Sequence, residues 1–383
     1  MKTAPRSVGL VADDLTGAAD AAVGFAEAGW RTEIVLDVAA LASGTDSDDR
    51  PVLLAVDAET RHMGFDDARS ATATVVSALR TAGAERLFLK IDSTMRGSVS
   101  AQVEGGLDSW SRSGAPATAA VCPAFPAHGR VVVDGELLVD GRPVHLSPAA
   151  DDPVAPVTMA SMSVLVPAGT RASVEEVGAV PIALLDARTD EDLEGIAAVL
   201  AEVEASVVAV GSGGLSAALA TRWQVGAAST PQPTAPGVLF AVSSLHPVSR
   251  AQVAHVRSRL GAHDDLVLAP DELLADAAAA VEVFASEVAE ALARRPFGAL
   301  VLVGGDGAAA VLRRLRAQRV VIGAQVLRGC PSGAIAGGAA DALTIVTKSG
   351  GFGDPTTLST LLDLLGTAAQ PASLTSSSSK ERP

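Results

Sequence analysis

The sequence contains no tyrosine, and aromatic residues make up only 3% of its 383 residues, so alanine, valine and leucine must fill the core. It has two cysteines, Cys122 and Cys330, which lie far apart in the chain. This argues against a disulfide framework and against a thiolate metal cluster. No uncharged apolar run approaches the ~18 residues that a membrane-spanning helix requires. We therefore expect no membrane segment and no membrane partner.

Basic residues are also scarce, because 29 lysines and arginines stand against 44 aspartates and glutamates, which gives a formal net charge of −15. An acidic surface repels nucleic acid and anionic membranes, so we expect neither as a partner. It does not exclude an anionic substrate, since a local cluster of arginine or lysine can override the overall field. The first residues lack the apolar segment of a signal peptide, and we expect a cytoplasmic protein.

What the sequence does contain is a repeated alternation of short apolar runs with longer alanine-rich helical patterns. Residues 7–12 predict a strand, residues 16–29 a helix that ends at a glycine, and residues 32–37 the next strand. Such a βαβ unit implies a parallel sheet. The pattern recurs along the chain and predicts an α/β protein of two domains, with parallel or mixed sheets flanked by helices.

Residues 129–146 interrupt this alternation, because two Asp-Gly pairs separate short alternating apolar runs there. Asp-Gly between such runs is a strong hairpin signal, so we predict a small antiparallel excursion. A stretch rich in proline, serine and alanine near residue 230 is the best linker candidate. The predicted organisation is an N-terminal domain over 1–225, a linker over 226–237, a C-terminal domain over 238–368 and a disordered tail over 369–383.

Polar side chains follow the predicted strands of the first half. Ligands of open parallel sheets bind at the carboxyl ends of the strands, so these loops are candidate sites. The loops are Asp13-Asp14, 57–62, 90–97 and 122–130. In 90–97, "KIDSTMRG", the lysine and arginine suit a carboxylate, and the aspartate and serine suit hydroxyl groups. This combination predicts a pocket for a small polyhydroxy acid. The alternative is a salt-bridged, solvated turn whose serine or threonine caps the following helix.

The adjacent pair Asp13 and Asp14 places two like charges where a buried strand ends. One aspartate is explained as the N-cap of the following helix. The second is open to three interpretations: a general base, an anchor for a hydroxyl group, or a Mg²⁺ ligand.

Two glycine loops follow strands in the second half, at Gly304–Gly307 and at 348–353. Backbone N–H groups at a helix start can receive phosphate oxygens, so two such loops predict a nucleotide site. Neither loop has the Walker A order or a dinucleotide-binding fingerprint. The six histidines show no metal-ligand spacing, so we predict no metal site built from protein side chains alone. Ser212 lacks the surroundings of a nucleophile elbow, which argues against a hydrolase.

Seven blocks of the sequence, found in one order between about residues 8 and 365, resemble the four-carbon acid sugar kinases. The blocks are "ADDLTGAAD", "KIDSTMRG", "PAFPAHGRVVVDGELLVDG", "VGSGGLSAALA", "HPVSRAQ", "GGDGAAAV" and "TKSGGFGDPTTL". The resemblance implies an N-terminal sugar-acid domain and a C-terminal nucleotide domain. It also implies transfer of the γ-phosphate of ATP to a terminal hydroxyl of a tetronate, giving the 4-phosphate. The form of "KIDSTMRG" is closer to threonate and erythronate kinases than to 3-oxo-tetronate kinases.

The strand-end loops and the resemblance together give the predicted site. The substrate-binding residues are Asp13, Asp14, Arg61, Lys90, Ile91, Asp92, Ser93 and Arg96. The nucleotide-binding residues are Ser244, Gly304, Gly305, Asp306, Gly307, Gly350 and Gly351. Asp14 or Asp92 is predicted to deprotonate the attacking hydroxyl, with Mg²⁺ bridging the phosphates of ATP. The chain departs from the family pattern at Ser243, where glycine is usual.

Two other classes of protein compete with the kinase. A non-catalytic sugar-acid sensor would need the polar cluster of the first half but not the glycine loops. An NAD-linked dehydrogenase would need the dinucleotide fingerprint, which is absent. The sequence is compatible with a homodimer, and no partner other than a sugar acid and ATP is expected.

Overall fold

The structure is a computed structural model that describes residues 4–43, 49–111, 116–152, 155–227, 233, 235–261, 266–270 and 277–367. The strands are β1 Ser7–Ala12, β2 Arg31–Val35, β3 Val52–Asp57, β4 Arg86–Lys90, β5 Thr118–Cys122, β6 Arg130–Val133, β7 Glu136–Val139, β8 Arg142–Pro143, β9 Thr170–Arg171, β10 Ile182–Leu184, β11 Val207–Gly211, β12 Val238–Val242, β13 Val267–Leu268, β14 Ala299–Val303, β15 Arg319–Leu327, β16 Cys330–Ala336 and β17 Thr344–Lys348. The helices are α1 Leu15–Glu27, α2 Phe65–Thr81, α3 Val99–Trp110, α4 Met162–Leu165, α5 Asp190–Glu202, α6 Gly213–Arg222, α7 Pro247–Leu260, α8 Ala277–Arg294, α9 Gly305–Arg314 and α10 Thr357–Thr367. The predicted tail lies outside the described residues, and so does part of the predicted linker.

Fourteen of the described strands form one mixed sheet in the order β13-β12-β14-β17-β16-β15-β2-β3-β1-β4-β11-β5-β10-β9. The strands from β2 to β9 in this order are parallel, as are those from β13 to β17. The α/β prediction, with mixed sheets flanked by helices, is therefore confirmed. The domain boundaries predicted from the sequence stay a prediction.

The two parallel regions are joined by an antiparallel hairpin that the sequence patterns did not predict. Strand β15 pairs with β16 on one side and with β2 on the other, so that Val320 lies opposite Ile34. Bulges interrupt the β15–β16 ladder between Ile322 and Leu327, and bulges bend a sheet. Helix α1 contacts β1, β2 and β3 as well as β15, β16 and α9. It therefore lies between the two halves, with its N-terminus close to both.

Helix α1 explains how a core without tyrosine closes. Ala18, Ala19, Ala21 and Ala22 are completely buried in it. Gly24 lies so close to α6 that a Cβ atom on it would sit 3.1 Å from the Cα of Ala217. Small side chains let helices and strands approach closely. This close packing fills the core without the volume that aromatic rings would otherwise supply.

The predicted antiparallel excursion is confirmed as the three-stranded sheet β6-β7-β8. Its two turns have positive φ at both central residues, which are Asp134 and Gly135 in the first turn and Asp140 and Gly141 in the second. That is the pattern of the type I′ turn, in which Asp-Gly is favoured. No helix in the described part of the chain is long and apolar enough to cross a membrane.

Candidate active site

The aspartate pair at the end of β1 is held by one arginine. Arg61 donates from Nε to Asp13 Oδ2 and from Nη1 to Asp14 Oδ2, each over 2.7 Å. Asp14 is also the N-cap of α1, because its Oδ1 accepts the N–H of Gly17. Thr16 donates its hydroxyl to Asp14 Oδ2 over 2.8 Å. One aspartate therefore caps the helix, as one interpretation of the sequence had it, and both share a cation that lies 48 residues away from Asp13 in the chain.

The pKa values of the two aspartates are shifted in opposite directions because their partners differ. Burial outweighs Arg61 at Asp13 and raises the pKa of that carboxyl, and Asp13 Oδ1 has no hydrogen-bond partner. Burial alone would raise the pKa of Asp14 too, but Arg61 and Lys90 bring it below its usual value. Asp14 is thus an ionised acceptor at neutral pH.

Lys90 ends strand β4 and is buried among carboxylates. Its ammonium donates to the carbonyl of Ile91 over 3.0 Å and faces Gly17, on which a Cβ atom would lie 2.9 Å from Nζ. Asp20, one helical turn past Gly17, lines the same cleft, and burial raises the pKa of its carboxyl. Residue Ile91 has a fully buried side chain, so it can offer a ligand only its backbone.

The carboxylate of Asp92 is already fully used within its own loop. Arg96 grips it with two bonds of 2.9 Å, from Nε and Nη2, and the hydroxyl of Thr94 donates to the same group. Burial opposes ionisation here, but Arg96 and then Arg61 hold the pKa of Asp92 well below its usual range. Ser93 lies beside it in the cleft lining. The salt bridge of the alternative interpretation is therefore present between Asp92 and Arg96. The turn is not solvated, because Asp92 is buried, and the N-cap residue Ser98 makes no side-chain hydrogen bond to α3.

In the second half, the predicted nucleotide loops converge at the ends of β12, β14 and β17. A Cβ atom on Gly350 would collide with the hydroxyl of Ser244, and one on Gly304 would lie 2.5 Å from the hydroxyl of Ser243. Gly304 also has a φ of +106°, which favours glycine. Ser243 donates its hydroxyl to the carbonyl of Val303 over 3.1 Å, so the residue that departs from the family pattern packs beneath the Gly304 loop.

The remaining loop glycines line up with this arrangement. Gly307 is buried against the Ser243 side chain, and Gly351 lies beside His246, which caps α7. Asp306 is the outlier, because its side chain is 66% exposed and lies 3.9 Å from His62. The structure therefore brings six of the seven predicted nucleotide residues together and leaves the Asp306 side chain outside.

The Asp14 carboxylate is one of the points at which the two halves meet. A Cβ atom on Gly305, the first residue of α9, would lie 2.7 Å from Asp14 Oδ2, so the Asp14 carboxylate rests against the glycine loop. A cleft at this point is lined by Asp14, Arg61, Lys90 and Ser93 from the first half. Residues 349 and 352 from the second half complete it.

An aromatic contact also joins the halves across the cleft. The rings of His128 and Phe352 stack at 4.5 Å with an angle of 6° between their planes. Phe125 meets His128 edge-on at 4.2 Å, and Phe125 and Phe352 both line the cleft. Burial, followed by the charge of Arg130, lowers the pKa of His128 to about 4, so the stacked imidazole is neutral at neutral pH.

Sequence reasoning missed Asp20, Phe125 and Phe352 as parts of the cleft. The spacing of Asp20 held a usable signal, because it follows Gly17 by three residues and so shares a helix face with it. Ser212 also lines the cleft, but its hydroxyl donates to the carbonyl of Ala124 and caps α6. Nothing in that arrangement resembles an activated nucleophile.

The described residues contain no cluster of three or more side chains suited to hold a metal ion. The carboxylates of the cleft are instead paired with Arg61 and Arg96. The described side chains of the cleft therefore do not form a coordination site for Mg²⁺ by themselves.

Fold and cleft define a class of protein, namely an α/β protein of two parts in which a charged cluster faces glycine loops of the kind that receive phosphate. Two family models match the chain: a sugar-binding N-terminal domain over residues 8–183 and a nucleotide-binding C-terminal domain over residues 263–358. A D-threonate kinase of Bordetella bronchiseptica is 34% identical over 91% of this chain and 94% of its own length. The chain therefore belongs to the four-carbon acid sugar kinase family.

Two further comparisons agree. A 3-oxo-tetronate kinase of Methylobacterium radiotolerans is 28% identical over 94% of this chain and 99% of its own length. A crystal structure from Bordetella bronchiseptica, described as a domain of unknown function with bound citrate and as a domain-swapped dimer, is 33% identical. It covers 94% of this chain and 98% of its own, with a TM-score of 0.51. The chain is a sugar-acid kinase by family, and its nucleotide-binding domain implies the use of ATP.

Proposed function

We propose that this protein transfers the γ-phosphate of ATP to the terminal hydroxyl of D-threonate or D-erythronate and releases the 4-phosphate. The observation that carries the proposal is the contact between Asp14 and Gly305, because it puts an ionised acceptor of one half against a phosphate-type loop of the other. Phosphoryl transfer requires in-line positioning of acceptor and donor and neutralisation of charge, with little covalent chemistry from the protein. The names of the relatives support a four-carbon acid as the acceptor.

The residues that the first half of the chain contributes to the cleft, here called the acid half, offer complementary groups for such a substrate. We propose that Lys90, Ser93 and Arg96 receive the carboxylate, since an ammonium and a guanidinium suit that group. Arg61 holds Asp13 and Asp14 in place through its two hydrogen bonds to them. Ile91 contributes its backbone alone.

Asp14 is the proposed acceptor of the proton from the attacking hydroxyl, and Asp92 is not. Two bonds from Arg96 and one from Thr94 occupy the Asp92 oxygens. Asp14 Oδ2 also has partners, but it is the oxygen that faces Gly305. A low pKa suits a group that orients the hydroxyl and takes its proton late, as the bond to phosphorus forms.

The nucleotide half would hold ATP through Ser244, the Gly304–Gly307 loop and the Gly350-Gly351 pair. Mg²⁺ would enter as the complex with ATP, because the described side chains form no cage for it. Such an ion neutralises phosphate charge when bound, and we assign it no protein ligands.

The test is an ADP-release assay across D- and L-threonate, D- and L-erythronate and 3-oxo-tetronates. We expect acid-dependent ADP release that is strongest with D-threonate or D-erythronate. Gly305→Ala should abolish it, since the new methyl group would press on the Asp14 carboxylate. Gly195→Ala is the matched control, because nothing lies within 4 Å of a Cβ atom there. Binding of the acid without ATP binding or acid-dependent turnover would contradict the proposal and favour a sensor.

A homodimer and a cytoplasmic location complete the proposal. The dimer is supported by the domain-swapped relative, and light scattering of the purified chain measures it directly. A single-chain mass at micromolar concentration would contradict the dimer and leave the kinase proposal intact.

A further inference from the structure

Lys348 is a buried cation that the proposed mechanism leaves unused. It is the last residue of β17 and its side chain is 1% exposed. Its ammonium donates to the carbonyl of Ser349 over 2.7 Å. Within the described residues it makes no ion pair with a carboxylate.

Lys348 lies at the centre of the three nucleotide loops. Its backbone carbonyl accepts the N–H of Gly304, and its strand neighbour on β14 is Val303. Its charge lowers the pKa of His246 at the start of α7, after the burial of that ring, which places the ammonium near the end of the Ser244 loop. The next residue, Ser349, lines the cleft. Lys348 therefore lies among the predicted nucleotide loops, with the Gly304 N–H on its carbonyl and Gly350 two residues further along the chain.

Burying a charge without a counter-ion is costly, and proteins usually pair such a charge or neutralise it. Burial lowers the pKa of Lys348 to about 8, with a small opposing effect from Cys330 on β16. The thiol of Cys330 is itself neutral at pH 7, because burial raises its pKa to about 11. At pH 7 the protein thus holds a buried cation for which the described residues supply no carboxylate partner.

We propose that Lys348 binds a phosphate group of the nucleotide and supplies the cationic charge that the glycine loops lack. This rests on the proposed function, since it takes ATP as the ligand. Lysine acts at phosphate as a point charge, and its contact adds to the N–H groups of the loops. The competing explanation is structural, in which Lys348 only fixes the Ser349 carbonyl.

The test compares Lys348→Met with Lys90→Met by calorimetry, using ATP and D-threonate as separate ligands. Both substitutions remove the ammonium group of a buried lysine at the end of a strand. Each variant therefore controls for the general effect of losing such a group on binding. We expect Lys348→Met to weaken ATP binding about 10- to 100-fold, the range of a charge-assisted contact. Its binding of D-threonate should be unchanged. Lys90→Met should show the reverse pattern.

Thermal unfolding without ligand separates the two explanations. If Lys348 binds phosphate, Lys348→Met removes a buried charge and melts no lower than the wild type. A structural lysine would instead give a lower melting temperature. Wild-type ATP affinity for a folded Lys348→Met protein would overturn the inference while the proposed function stands. Absence of ATP binding by the wild type would overturn both.

The wild-type protein gives a second measurement that does not depend on how the variant folds. ATP keeps its full phosphate charge above about pH 7, so in that range its affinity should fall as the pH rises through about 8, because the free lysine then loses its proton. The titratable groups that face Lys348 are Cys330 and His246, and neither changes charge between pH 7 and 9. An affinity that stays flat up to pH 10 would overturn the inference.

Discussion

Lys90 and Lys348 occupy comparable positions at strand ends in the two halves of the protein. Each is the last residue of a parallel strand, and each donates its ammonium to the carbonyl of the following residue. Around Lys90 the chain supplies Asp14 and Asp20 as counter-charges. Around Lys348 the described chain supplies no carboxylate, and burial lowers the pKa of this lysine to about 8.

The difference between the two lysines follows from the chemistry of their ligands. A sugar acid brings one negative charge and several hydroxyls, so its site needs acceptors as well as cations, and these pair with one another before the ligand arrives. A triphosphate brings several negative charges, so its site can keep a cation unpaired. The acid half is thus organised by its own ion pairs, and the nucleotide half by its ligand.

Of the substitutions considered for the acid half, Asp14→Asn should lower activity the most. Asparagine is as good an N-cap as aspartate, so α1 keeps its start while the proton acceptor is lost. We expect kcat to fall about 10²- to 10⁴-fold, as for loss of a general base. Steady-state kinetics at saturating ATP measures this.

Asp92→Asn is the matched comparison for that prediction. Because Arg96 and Thr94 occupy the Asp92 oxygens, this change should raise KM for the acid and lower the melting temperature more than it lowers kcat. Near-native turnover of Asp14→Asn, or a larger loss of kcat in Asp92→Asn, would contradict the assignment of Asp14 as the base.

Arg61→Met should test whether the acid half is organised before its ligand binds. Without the guanidinium, Asp13 and Asp14 face each other as buried like charges. We expect the free energy of unfolding at pH 7 to fall by about 3–5 kcal/mol, as when one partner of a buried pair is removed. Denaturant titration measures it, and a loss below about 1 kcal/mol would show that the ion pairs matter little.

The pH dependence of that loss sharpens the test. The pKa of Asp14 is lowered in the folded protein from an ordinary value of 3.8, so the stability it contributes is present above that pH and is lost as the pH falls. The deficit of Arg61→Met should therefore shrink below about pH 4. A deficit independent of pH would point to lost packing instead of lost charge.

Lys348 should affect stability with the opposite sign. Its pKa is lowered from 10.5 to about 8, so the cost of burying the charge is fully present below pH 8. This cost is relieved as the pH rises from 8 to 10.5. We expect Lys348→Met to be more stable than the wild type by about 1–3 kcal/mol at pH 7, with the gap closing toward pH 10.5. A gap that widens with pH would contradict the assignment.

The smallest expected effect concerns the contact between His128 and Phe352. An aromatic pair is worth about 0.5–1.5 kcal/mol, so His128→Ala should raise KM for both substrates roughly 2- to 10-fold. His128→Phe should restore most of the loss. Since the pKa of His128 is about 4, the effect should be constant from pH 6 to 8. A KM change for one substrate alone would mean that the contact does not join the halves.

Local patterns predicted the parts of the fold that local physics decides. The two Asp-Gly turns, the cap at Asp14 and the alternation of strands and helices are fixed within a few residues of one another. The pairing of β15 with β2 was missed because β2 lies nearly 290 residues earlier in the chain. No periodicity within residues 319–336 could announce that pairing.

The candidate site divides in the same way. Because the sheet is parallel, its strand ends bring Asp14, Lys90 and Arg96 into one cleft, as the sequence predicted. The sequence pattern could not show that Arg61 would bind Asp13 and Asp14. It also could not show that Arg96 and Thr94 would occupy the oxygens of Asp92. Those outcomes depend on distances between loops, which only the packed structure sets.

The most direct test of the facing halves is a crystal structure with a non-hydrolysable ATP analogue and D-threonate bound together. We expect the terminal hydroxyl of the acid to lie about 3 Å from the Asp14 carboxylate, the distance that proton transfer requires. The same hydroxyl should be in line with the γ-phosphate beside Gly305. Finding the acid outside the cleft, or the triphosphate away from the Gly304–Gly307 loop, would contradict this expectation.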